Sequence, residues 1–437
     1  MLPNNIPPLY KMKEKAKKVM DAFKVQSKES EDGSFVHYIG DVPKALEKLY
    51  VDACEASKRS IKTVWPKGYP TREVTFCVSF DGFSASGFND KSHHLTALQI
   101  RAISMNDIFF ETVARPTHSL VLSLICDKEH RCKEEIVRMI REVKKLGLED
   151  QNWGPSGQKT HMKLKFLFCV DVKAWGIIIG RKNMQNALWY CPYNSECKRP
   201  STEEFGTDVS KQYGSPEFRN PLFHTGKDNI DCNDDFVPDV LHLKINLVTS
   251  LVNAVCQYSK AGQDVVYSDL EAEFHILKPV KGSFGGSACN TILANIQSRF
   301  YKYDLNLPPE KILKLHEVFE ATKELVDYLS RTTKLDKADI EKVSELISCR
   351  TKLLIQLQIA FKLYDHIVHF HVVRLLEKYK SIGAFCLQSL EHNNAIMKSL
   401  FLNNTTAAHG QDQKGAQVFN AICLKTLLER VGDEDDE

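Results

Sequence analysis

Residues 73–82 read EVTFCVSFDG, and residues 161–171 read HMKLKFLFCVD. Each is an apolar run rich in β-branched and aromatic residues, the composition of a buried strand. Each ends on an aspartate: Asp81, followed by Gly82, and Asp171, followed by a helical stretch. An aspartate at a strand end also caps turns, so neither residue argues for chemistry alone. Their neighbours set the order of elements. ALQIRAISMNDIFFE (97–111) contains a second strand and THSLVLSLI (117–125) is a third. KEEIVRMIREVKKLGL (133–148) is an amphipathic helix with Ile136, Met139, Ile140 and Val143 on one face. After the fourth strand at 161–171, VKAWGIIIGRKNMQ (172–185) predicts a short helix and NALWY (186–190) a fifth strand.

Three strands, a helix, a strand, a helix and a strand is the order of an RNase H-like α/β unit. In that fold the first and fourth strands bring their carboxylates to one edge of the sheet, an expectation at the level of fold analogy. Upstream, residues 1–24 read as a solvated basic helix, 25–36 as a polar linker and 43–63 as a helix. Downstream, 191–237 is loop-rich. Helices are then predicted over 239–260, 308–330, 336–363, 364–379, 388–401 and 415–430, with a polar loop at 402–414 and an acidic tail. The expected class is α/β plus α. It divides into an N-terminal helical region (1–70), a first catalytic part (71–190), a mostly helical insertion (191–380) and a C-terminal segment (381–437).

The 58 basic and 56 acidic side chains nearly cancel, so any contact with nucleic acid has to come from local basic patches. The 13 cysteines are odd in number and irregularly spaced, which argues for thiols or metal ligands over a disulfide frame. No signal peptide is visible. No stretch reads as the roughly 18 apolar residues of a membrane span.

A third carboxylate cannot be found from periodicity, because glutamates crowd the solvated helix faces. Here the segment KYKSIGAFCLQSLEHNNAIMKSLF (378–401) resembles the catalytic C-terminal segment of the family of RAG recombinase catalytic subunits and Transib transposases. In that family a SIGAW stretch precedes the catalytic glutamate, which lies six positions past the aromatic. Ser381-Ile382-Gly383-Ala384-Phe385 stands in this place, with Phe385 for the tryptophan, Glu391 six positions on and Asn394 at the family's asparagine position. The family's first catalytic aspartate also stands in an Asp-Gly pair, as Asp81 does, and its second stands about twenty residues before a zinc cysteine, as Asp171 does before Cys191. The resemblance covers roughly residues 70–430. It implies a DDE-type core that nicks DNA, forms hairpins and transfers strands with two Mg²⁺ or Mn²⁺ ions on Asp81, Asp171 and Glu391. Hard cations of this kind take carboxylate oxygens, and two of them serve both the attacking and the leaving oxygen.

The same resemblance implies one structural zinc that staples the insertion, on Cys191, Cys197, His366 and His371. The Cys-x₅-Cys spacing departs from the family's closer pair and weakens Cys197. His366 and His371 keep the family's separation of five, with His371 fourteen residues before Phe385. On an unbroken helix, positions five apart diverge by about 140°, so His369 remains a rival partner for His366 unless the helix begins or breaks there.

Lys173, Arg181, Lys182 and Asn394 are candidate DNA contacts, although single lysines and arginines usually form a solvated face. PVKGSFGGSACNTIL (279–293) lacks the lysine and spacing of a nucleotide loop. Asp239 and His242 read as structural, Asp239 as a helix cap. The vertebrate recombinases of the family carry a RING-type zinc region and a basic DNA-reading domain ahead of the core. The 70 residues before the first strand here are too short to hold them. The resemblance further implies a nuclear protein, DNA ends of the transposon or recombination-signal kind as partner, a homodimer, and room for a second recombinase subunit. It implies no membrane. The competing readings are a domesticated, catalytically inactive binding factor and a zinc-stapled structural protein.

Overall fold

The structure is a computed structural model describing residues 9–29, 34–57, 72–86, 92–106, 108–110, 119–127, 133–154, 159–178, 191, 193, 235–277, 279, 283–403 and 411–428. These fall into two compact units. The first lies within Met1–Val170 and Leu387–Glu437, the second within Asp171–Pro221 and Cys232–Cys386.

The first unit is built on a mixed sheet. Its strands are β1 (Val25–Glu29), β2 (Phe35–Ile39), β3 (Arg72–Ser86), β4 (Ser92–Met105), β5 (Ile108–Phe109), β6 (Ser119–Ile125), β7 (Gln151–Trp153) and β8 (Thr160–Val170). Their order is β1-β2-β6-β4-β3-β8-β7, with β5 paired to β4. β3, β4 and β6 form an antiparallel meander, and β8 runs parallel beside β3, from Arg72↔Met162 to Val78↔Phe168. A parallel neighbour cannot be reached by a hairpin. The chain makes the crossing with helix α3 (Lys133–Leu146), which packs on β8. β6 lies inside the sheet and every one of its residues is buried, whereas the first half of β8 alternates buried with exposed.

Side chains alternate across a strand, and here the two faces differ in chemistry. One face is aromatic. Phe76 stacks on Phe166 and meets Trp153 edge-on, and Trp153 in turn packs on Tyr50 of helix α2 (Val42–Ala56). The other face carries buried Thr75, Ser79, Gln99, Arg101 and Ser119. Helices α12 (Gln388–Asn403) and α13 (Gln411–Leu428) cover it.

Several expectations need correction. Residues 25–36, read as a linker, contain β1 and the start of β2, paired from Val25↔Ile39 to Glu29↔Phe35. VQSKE is polar because β1 is an edge strand: Gln26, Ser27 and Glu29 are exposed and none of its residues is fully buried. The helix read as solvated, α1 (Leu9–Ala22), packs on α13 and buries Val19. β3 does not stop at Asp81; it continues to Ser86, with Asp81 opposite Ala97 of β4. The strand expected at 186–190 lies outside the described residues.

The second unit is helical: α4 (Val172–Ile178), α5 (Val240–Tyr258), α6 (Gln263–Phe274), α7 (Gly286–Asn295), a 3₁₀ turn (Ile296–Tyr303), α8 (Pro309–Ser330), α9 (Lys337–Gln356), α10 (Leu363–Phe370) and α11 (Val372–Tyr379). The helix expected over 336–363 ends at Gln356, where Gln358 takes a left-handed φ of 57°. α6 and α7 were not expected. α7 approaches α5 closely enough that a Cβ on Gly286 would lie 2.5 Å from Leu241 Cδ1, so that side chain would have to move. α5 is long and apolar enough to cross a membrane by length and composition, correcting the expectation that no stretch is. Its 18-residue window is 67% buried inside the protein.

A buried ion pair joins three helices of this unit. Arg350 of α9 donates to Asp365 Oδ1 of α10 at 2.7 Å and through Nε to Thr322 Oγ1 of α8 at 3.0 Å. Both charged side chains are 2% exposed, so neither can recover water if its partner is lost. Arg350→Met is therefore expected to destabilise the unit by about 3–5 kcal/mol in chemical denaturation. Arg350→Met combined with Asp365→Leu should recover most of that loss; an unaffected single variant would show that the pair carries no such weight.

Candidate functional site

Two clusters stand out, one in each unit. In the first unit the site is built from β3 and α12. Asp81 is half-buried on the polar face of the sheet. Asn394 Nδ2 donates to Asp81 Oδ2 at 2.7 Å, and Asn394 Oδ1 accepts from Gln99 Nε2 at 3.2 Å. Gln99 Oε1 accepts from Asn393 Nδ2 at 2.9 Å, and the same Nδ2 reaches Ser119 Oγ at 2.6 Å. Gln99, Asn393, Asn394 and Ser119 are all buried. Asn394 is thus engaged inside the protein and does not present its amide to solvent as a DNA contact would. Glu391 lies in the first turn of α12, exposed, three residues before Asn394. Residues three apart share a helix face, so Glu391 sits one turn along the face that docks on Asp81.

Asp171, the residue after β8, opens the second unit as the cap of α4. Its Oδ1 accepts from the Ala174 backbone at 2.5 Å, the turn-capping role open to any strand-end aspartate. Tyr364 of α10 is buried, and burial together with the charges of Asp171 and Asp239 pushes its phenol up. Asp239 caps α5 as expected, accepting from the Leu241 and His242 backbones at 3.2 and 3.0 Å. It also holds His242 Nδ1 at 2.5 Å.

The second cluster is a candidate metal centre. Cys191 Sγ lies 3.1 Å from His371 Nε2, which lies 3.2 Å from His366 Nε2. All three ligand atoms fall within 4.8 Å of one another. A tetrahedral zinc with bonds of ~2.0–2.3 Å sets its ligand atoms roughly 3.3–3.6 Å apart, close to this spacing. The difficulty of two histidines five apart is resolved by a break in the helix. α10 ends at Phe370 and α11 begins at Val372, and His371 between them has φ −123° and ψ −30°. That junction turns its ring back toward His366. His369 faces elsewhere, with Nδ1 3.0 Å from Thr351 Oγ1 and its ring against Phe361 and Phe370. Tyr193 stacks on His371 at 4.6 Å, and Trp175 packs between Tyr193 and Phe236. Burial, then the neighbouring His371 and His369, pushes His366 down to about 3. Burial, then Arg374, pushes His371 down to about 4. Both rings are therefore neutral at physiological pH, the form that binds a metal.

Cys197, Arg181 and Lys182 lie outside the described residues, as does the side chain of Lys173. Gln99 and Asn393 were missed. Their only trace in the sequence is a glutamine within the apolar strand ALQIRAI and a doubled asparagine after Glu391. No protein-family model matches the chain, and no curated protein matches it at significant similarity.

Metal analysis of the purified chain tests the cluster. Cys191→Ser and His371→Ala are each expected to lose one equivalent of zinc, with a lower melting temperature, while His369→Ala keeps it. Zinc retained by both of the first two variants would exclude this set of ligands.

Proposed function

We propose that the chain is the core of a DDE-type DNA transposase or recombinase, a metal-dependent endonuclease and strand transferase. The observation that carries this reading is the seating of α12 on β3. The helix that bears Glu391 is hydrogen-bonded through Asn394 to Asp81, two residues more than 300 positions apart in sequence. Two further features support it. The order β6-β4-β3-β8, with β8 parallel to β3, is compatible with the expected RNase H-like unit, and a mostly helical segment follows β8. Asp171 directly follows that strand. The likeness of 378–401 to the RAG–Transib catalytic segment joins these features to a reaction.

In this proposal Asp81, Asp171 and Glu391 hold two Mg²⁺ or Mn²⁺ ions, for which three carboxylates are a fitting donor set. Such ions lower the pKa of the attacking water or 3′-hydroxyl and stabilise the leaving oxygen. The protein's own part is to fix its carboxylates before DNA arrives and to spare them reorganisation in the transition state. Asp81 is anchored by Asn394, and Glu391 by the same helix. Zinc on Cys191, His366 and His371 would fix the fold of the insertion, with Cys197 as the proposed fourth ligand. The proposed setting is nuclear DNA, with transposon-end or recombination-signal sequences as substrate, two copies acting together, and room for a second recombinase subunit.

Nicking of terminal-repeat DNA in Mg²⁺ or Mn²⁺ tests this reading. Asp81→Ala, Asp171→Ala and Glu391→Ala are each expected to lower the rate by roughly 100- to 1000-fold or more, the cost of losing a transition-state contact being about 10²–10³. Activity surviving in all three, or DNA binding without cleavage by the native chain, would overturn it; the latter would favour a domesticated binding factor.

A further inference from the structure

The buried amides beneath α12 lie on one face of a sheet whose other face is packed by Phe76, Phe166 and Trp153. Burying three primary amides in a sheet–helix interface is costly unless each donor and acceptor is matched. A leucine-filled seam would hold α12 down as well. The direction of the hydrogen bonds suggests another purpose. A carboxylate only accepts, so Asn394 has to turn its NH₂ toward Asp81. Its carbonyl is then left facing Gln99, which has to answer with its own NH₂. That leaves the Gln99 carbonyl to accept from Asn393. The charge on Asp81 thus fixes the orientation of three amides in series, and the series in turn fixes Asp81.

We infer that Asn393, Gln99 and Asn394 form an amide relay that positions the Asp81 carboxylate for metal binding. Its members are positioning residues: Asn394 touches Asp81, while Gln99 and Asn393 act through it. The inference rests on the proposed two-metal reading of Asp81. Because Asn394 and Glu391 share a helix face, the relay also sets the distance between helix α12 and strand β3. Removing one amide should therefore loosen metal binding more than it slows the chemistry once metal is bound. Partners that orient a metal ligand have this signature, with losses of roughly 10- to 100-fold in metal affinity.

Two isosteric or near-isosteric variants test it, each first checked for native circular dichroism and melting. Gln99→Glu keeps the acceptor for Asn393 but removes the donor to Asn394, without touching Asp81. Asn394→Leu removes the donor to Asp81 and adds no charge. Mn²⁺ binding, followed by the electron paramagnetic resonance of the free ion, and nicking against Mg²⁺ concentration are both measured. The expected result is a metal requirement raised roughly 10-fold or more in both variants, with Gln99→Glu recovering most of the native rate at saturating metal. A merely structural role would lower the melting temperature and leave the metal requirement unchanged, and that outcome would overturn the inference. If either variant does not fold, Asn393→Ser, which leaves the Gln99–Asn394 bond in place, is predicted to shift the requirement in the same direction. A native chain that neither binds Mn²⁺ nor nicks DNA would remove the two-metal reading and the relay with it. A native chain that does both, beside variants with an unchanged metal requirement, would remove the relay alone.

Discussion

The carboxylate of Asp81 accepts a hydrogen bond from Asn394, and the first unit is arranged to deliver that donor. Asn394 comes from a helix near the end of the chain, and Asp81 from a strand near its start. The bond forms because β4 places Gln99 opposite Ser79, two residues from Asp81 on the same face, where it can brace the Asn394 amide. β6 places Ser119 where it meets Asn393. The sheet therefore does two jobs with its two faces. The aromatic one supplies stability through Phe76, Phe166, Trp153 and Tyr50, and the polar one orients side chains. Alternation along a strand makes that division available at no cost in length.

The second unit depends on a different constraint, the break between α10 and α11. Without it His366 and His371 would point apart. The buried Arg350–Asp365 pair holds the start of α10, one residue from His366, and Asp365 also caps the turn by accepting from the Lys362 backbone at 2.9 Å. The cluster of Cys191, His366 and His371 is thus braced from both sides, by the ion pair and by the stacked Tyr193. Such bracing is what a metal centre needs from its surroundings.

Strands with continuous apolar runs were legible in the sequence, as were the helices with a clean periodic stripe. SLVLSLI and KFLFCV can only be buried, and the stripe of KEEIVRMI has one face to bury. VQSKE was not legible, because an edge strand with no fully buried residue has the composition of a linker. The true end of β3 was not legible either, since Asp81-Gly82 reads as a turn although the strand runs on to Ser86. Of the candidate sites, the histidine spacing carried real information, but only the helix break explains how that spacing works. Gln99 and Asn393 were invisible because a buried amide takes its meaning from a partner nearly 300 residues away. Tertiary contact, not local pattern, assigns such residues.

The proposed reading puts Asp81, Asp171 and Glu391 on a shared pair of divalent ions. Diffraction from crystals of the native chain soaked in Mn²⁺, recorded at the manganese absorption edge, tests it most directly. The reading predicts two anomalous peaks roughly 3.5–4 Å apart, ligated by these three carboxylates. Ordered manganese elsewhere with none on Asp81, or no ordered manganese at all, would contradict it.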